Sequence, residues 1–101
     1  MHKAHIKTVT PKTSWLKPPV SSGIKSGYVI LHKGEEIGEH VTDNREEVLY
    51  VVEGEAKVTV DGIPEYAEAG SMIYIPPQTK HNVANENDEE VKYIYVTASF
   101  K

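Results

Sequence analysis

The chain contains no cysteine, which excludes disulfides, thiolate metal sites and cysteine nucleophiles together. Long apolar runs are also missing. The longest are a few residues, far short of the roughly 20 that cross a bilayer. The first thirty residues hold no unbroken apolar segment of the kind a secretory signal uses. Basic residues are too few for a nucleic-acid surface: 11 Lys and Arg stand against 15 Asp and Glu, a formal charge of −4, where a basic stripe would be needed. No window carries a helical period with caps, and internal repeats are absent. Ser21-Ser22 has no base at a recognisable spacing, so a serine nucleophile finds no support. The glycines punctuate turns, and none cradles a phosphate ahead of a helix. The expectation is a cytoplasmic protein that binds neither nucleic acid nor membrane.

What is present is a β pattern. A chain of 101 residues suits one domain with a modest core, and a homodimer would help to stabilise it. Residues 1–27 read as an arm, rich in Pro, Gly and Ser, with His5–Val9 as its one strand-like piece. Trp15-Leu16 is expected to pack on the main body or on a neighbouring subunit. Residues 28–101 read as short strands separated by turns. The segments are Tyr28–His32, Ile37–Thr42, Glu47–Val52, Ala56–Val60, Ile63–Glu68, Met72–Ile75, His81–Ala84 and Val91–Ser99. Asp61-Gly62 is a two-residue hairpin turn of the kind that needs positive φ. Pro64 marks an edge strand or a strand start. About eight short strands at regular spacing predict an all-β sandwich or barrel, with a jelly roll the leading form.

Three potential ligands sit at strand ends. Alternation places His40 and Thr42 on one face. Glu47 opens the next strand after a short turn, and His81 opens a later one. Taken singly, each is more often a surface or loop residue than a ligand. Together, two imidazoles and one carboxylate could converge in a barrel mouth and hold a divalent first-row metal with positions left open. His32 would line the cavity as a proton-transfer group if it faces inward with Tyr28 and Ile30; an exposed histidine is the plainer reading. Tyr93 and Tyr95 share a face of the last strand, with Tyr74 expected to face them, and core packing accounts for most such residues.

The spacing resembles that of small single-domain cupins. Gly34, His40, Glu47 and Gly54 fit the family's first motif, G-x5-H-x-H-x3-4-E-x6-G. Gly70, Pro76, His81 and Asn85 fit its second, G-x5-P-x-G-x2-H-x3-N. The resemblance implies a jelly-roll β-barrel, or double-stranded β-helix, carrying an extended N-terminal arm. It also implies metal ligation by His40, Glu47 and His81. Two positions depart from the pattern. Thr42 replaces the second histidine; its hydroxyl is a weak ligand, better suited to hydrogen-bonding a metal-bound water or Glu47. Gln78 replaces the turn glycine, which suggests a surface turn without positive φ or an amide lining the cavity mouth.

By resemblance, then, the chain is expected to bind a divalent transition metal (Fe, Mn, Ni, Co, Cu or Zn) and a small-molecule ligand. It could be a metal-dependent enzyme of dioxygenase-like, isomerase or lyase type acting on a small polar molecule. The alternatives are a non-catalytic barrel that binds a sugar or carboxylate, or a regulatory scaffold.

Overall fold

The computed structural model of the chain describes Lys3, His5 and residues 12–100. Among these residues there is no helix. Nine strands follow in order: β1 Thr13–Leu16, β2 Ile24–Leu31, β3 His40–Val41, β4 Arg45–Glu53, β5 Glu55–Val60, β6 Ile63–Glu68, β7 Met72–Ile75, β8 Lys80–Ala84 and β9 Val91–Ser99. They form a five-stranded sheet, β1-β2-β9-β4-β7, and a four-stranded sheet, β3-β8-β5-β6. Every pairing is antiparallel.

Period-2 alternation decides which side chains meet between the sheets. In β4, Leu49 and Val51 are buried while Tyr50 between them is exposed. Val29 and Leu31 of β2, Val58 of β5, Val83 of β8 and Tyr93 of β9 join them in one core cluster. Asp61 and Gly62 both take positive φ, 50° and 80°. That is the turn type whose twist matches a tight β5–β6 hairpin. Pro64 lies in β6, an edge strand, where its missing N–H costs no ladder bond.

Three strands differ most from the sequence reading. The strand expected to open at Tyr28 begins at Ile24, because the nine-residue β9 pairs with it from Ala98 back to Val91. Thr13–Leu16, read as arm, is a strand hydrogen-bonded to β2. Trp15 in it is 39% exposed. The strand-like His5–Val9 piece lies outside the described residues apart from His5, whose carbonyl accepts a 3.0 Å hydrogen bond from the Tyr28 hydroxyl. The strand expected over Ile37–Thr42 shrinks to His40–Val41, since Gly38 at φ +104° breaks the extended path.

Gly27 of β2 lets both flanking strands, β1 and β9, crowd its backbone. A Cβ there would stand 2.3 Å from the Thr13 carbonyl oxygen and 2.6 Å from the Tyr95 hydroxyl oxygen. The bare glycine leaves room for the Tyr95 ring from β9, its direct cross-strand partner. Gly27→Ala should therefore cost about 1–3 kcal/mol by overpacking. Urea denaturation would measure it, with Gly23→Ala as control because its nearest contact would be an ordinary 3.8 Å. Equal midpoints for the two variants would show that this close approach does not exist.

Candidate metal centre

His40 and His81 face each other directly across the β3–β8 pair. Their ring centroids are 4.0 Å apart at an interplanar angle of 58°. Glu47 reaches them from β4 in the opposite sheet, where Leu49 and Val51 continue its inward-facing row into the core. One ligand atom from each of His40, Glu47 and His81 lies within 4.8 Å of the others.

The same device orients both imidazoles. His40 Nδ1 lies 2.9 Å from the Gly38 carbonyl oxygen, and His81 Nδ1 lies 3.1 Å from the Thr79 carbonyl oxygen. A carbonyl only accepts, so in the neutral ring Nδ1 carries the proton and the Nε2 lone pair is available to a ligand. Metal-ligating histidines are held in this way. His81 Nε2 is buried and has no hydrogen-bond partner. Its nearest anion, Glu47 Oε1, is 3.5 Å away, within ion-pair range but too long for a hydrogen bond. The donor set of two imidazole nitrogens and a carboxylate fits a divalent first-row metal.

The three residues open onto a cavity of about 350 Å³, walled also by Val29, Ile37, Val83, Tyr93, Tyr95 and Thr97. Residues 27–97 match the cupin domain family. The chain is a cupin. Over 85 residues it is 39% identical to the polyketide synthase CurC of Streptomyces cyaneus, covering 79% of this chain and 54% of that protein. Over 83 residues it is 30% identical to protein SchB of Streptomyces halstedii, covering 79% of this chain and 60% of that one. This cupin thus spans little more than half the length of those relatives. In structure it resembles TT1209 from Thermus thermophilus, with a TM-score of 0.86 at 22% identity over 98% of each chain. At that identity the likeness is one of fold.

The remaining sequence candidates divide. Tyr93 and Tyr95 line the cavity of this cupin. Burial and, after it, the negative charge of Glu47 push the Tyr93 phenol up, so it stays protonated at neutral pH. Thr42 also borders the cavity, but its hydroxyl has a different task. It donates to the Pro76 carbonyl at 2.7 Å and accepts from the Thr79 N–H at 3.0 Å. It clamps the turn ahead of His81 and makes no hydrogen bond to Glu47.

His32 lies outside the cavity. Val29 and Leu31 take the inward face of β2, so Tyr28, Ile30 and His32 fall on the other. His32 is exposed and pairs with Glu90 at 3.0 Å. Tyr74 likewise faces outward, where its hydroxyl donates to Glu46 at 2.8 Å. Gln78 sits on an exposed turn and does take positive φ, +56°, against the expectation of a turn that avoids it. Its N–H donates to the Asp43 carbonyl and its amide to Asn44 Oδ1 at 3.3 Å. Neither the amide nor the backbone of Gln78 lines the cavity.

Among the lining residues that sequence reasoning missed are all three cations, Lys12, Lys25 and Arg45. Arg45 was legible in principle, since it precedes Glu47 by two on the same strand face. Lys25 was not, because its place depends on the β2–β9 register.

Burial pulls the His81 imidazole toward neutrality, but Glu47 and the Thr79 carbonyl outweigh it and raise its pKa above the ordinary 6.5. A raised folded-state pKa adds stability that is fully present below the unfolded value and lost as pH rises through the folded one. Metal-free protein should therefore lose stability as pH rises above about 6.5. Glu47→Gln should flatten that dependence, as followed by thermal melts alongside the His81 NMR titration. A His81 midpoint at or below 6.5 would contradict the geometry. Separately, Thr42→Val should destabilise the fold by about 1–3 kcal/mol through the unpaired Thr79 N–H, with metal affinity little changed. A large loss of affinity at equal stability would make Thr42 part of the ligand set after all.

Proposed function

We propose that this cupin binds a divalent transition metal through His40, Glu47 and His81 and acts through it on a small polar molecule held in the cavity. The observation that carries the reading is the buried Nε2 of His81, which has no hydrogen-bond partner and faces the Glu47 carboxylate at 3.5 Å. A buried polar atom left in that state costs about 1–3 kcal/mol, and a metal would relieve it. Iron, manganese, nickel, cobalt, copper and zinc all suit two imidazoles and a carboxylate.

A bound metal would supply Lewis-acid or redox chemistry at its open positions. The chain supplies the rest. Gly38 and Thr79 hold the imidazoles in one tautomer and orientation. Tyr93, kept protonated beside Glu47, can donate a hydrogen bond to a ligand oxygen. Val29, Ile37 and Val83 line part of the wall and exclude water from that side. Oxygenase, isomerase and lyase reactions are all within reach of this arrangement. The name of the 39% identical relative, a polyketide synthase, supports an enzymatic role. A non-catalytic ligand-binding barrel is the second reading, favoured by the threonine at position 42, which leaves one imidazole fewer than the family motif.

Elemental analysis of untagged protein tests the reading. Wild type is expected to carry stoichiometric metal, His81→Ala to lose it, and Glu47→Gln to bind at least about tenfold more weakly. Absence of metal from wild type after loading with each of the six ions would overturn the proposal.

A further inference from the structure

The chain is acidic, yet the cavity wall is basic. Lys12, Lys25 and Arg45 line it, and Glu47 is the one carboxylate among the lining residues. None of the three cations has a carboxylate partner among the described residues, whereas Lys33, Lys57, Lys80 and Lys92 each pair with an acid elsewhere. With 15 acids in the chain, partners were available, and the fold places them elsewhere.

Sheet register fixes where these charges stand. Lys25 pairs with Thr97, and Thr97 pairs with Glu47, so all three share one inward-facing row. Two strand spacings put the Lys25 and Glu47 backbones roughly 10 Å apart. Arg45, the chain's only arginine, lies two residues from Glu47 along β4, roughly 7 Å away. Both cations therefore flank the candidate metal centre within the length of a small molecule. Unpaired cations beside a partly enclosed pocket attract an anion, and a guanidinium offers a fork that matches a carboxylate.

We propose that the ligand is a small organic anion with a carboxylate that Arg45 and Lys25 receive, its remaining polar atoms turned toward His40, Glu47 and His81. This deepens the proposed function by naming a ligand class and rests on it for the role of the metal. It selects a carboxylate over a neutral sugar. Lys12 adds a third positive charge at the wall.

Isothermal titration of metal-loaded protein with malonate, its neutral diamide malonamide, and inorganic phosphate tests this. Malonate should bind at least about tenfold tighter than malonamide. Arg45→Gln and Lys25→Gln should each weaken malonate by about tenfold, leaving malonamide binding, metal content and the thermal midpoint unchanged. Arg45→Lys should recover only part of the loss. Malonamide binding as tightly as malonate, or charge-neutral variants binding malonate as wild type does, would falsify the proposal. Phosphate preferred over malonate would overturn the carboxylate assignment. Should wild type hold no metal, the metal reading falls by itself. The same titrations on metal-free protein then judge the anion site alone, where a malonate preference lost in Arg45→Gln upholds it and indifference to charge overturns it.

Discussion

One nitrogen lone pair constrains the whole site. His81 Nε2 is buried, unpartnered and turned toward Glu47 because Nδ1 of the same ring is bonded to a carbonyl two residues upstream. His40 repeats the arrangement with Gly38. Each imidazole is thus braced by its own strand approach, and neither ring needs a distant partner to hold its tautomer. A site that leaves a lone pair dry must fill it with a proton or a metal. The proton is accommodated by Glu47 at 3.5 Å, and this raises the His81 pKa against the opposing effect of burial. A metal would engage the same lone pair together with Glu47 and His40. Proton and metal therefore compete, and the stability of one form measures the cost of the other.

Threonine at position 42 shows what the chain received in exchange for an imidazole. Its hydroxyl gives its proton to Pro76 and takes one from Thr79, binding both ends of the turn that leads into β8. Thr79 is also the residue whose carbonyl orients His81. The hydroxyl at position 42 thus stiffens the support of a candidate ligand. A histidine there would leave the Thr79 N–H to find another acceptor, so adding a ligand at 42 and holding His81 still are in conflict.

Much of this was legible in the sequence, for a specific reason. His40, Glu47 and His81 sit at strand ends whose spacing is set by turn glycines and prolines, and local spacing survives into three dimensions. The hairpin at Asp61-Gly62 was legible for the same reason. What failed depended on parity or on partners. His32 was assigned by strand face, and the inward face fell to Leu31 instead. Gln78 adopts a backbone that glycine usually supplies, held by hydrogen bonds to Asp43 and Asn44 that spacing does not show. Residues 13–16 and 24–27 look like arm until the length of β9 is known, since a strand of nine residues calls its neighbours into register. Lys25 became a cavity residue only through that register.

The basic cavity sits in a chain of net charge −4 without contradiction, because the two fields act over different distances. At physiological salt, charges beyond roughly 8 Å are largely screened. A small anion in the mouth would respond to Arg45, Lys25 and the candidate metal centre, while the Glu86–Glu90 segment outside the cavity lining contributes little. A long polyanion gains nothing comparable, since most of its length would lie against the acidic exterior. On the proposed reading, then, net charge governs which macromolecules stay away, and the row Lys25–Thr97–Glu47 governs which small molecule is held. Lys33, Lys57, Lys80 and Lys92 stand outside the cavity lining and pair with acids there, so screening removes them from the field that a ligand in the cavity meets.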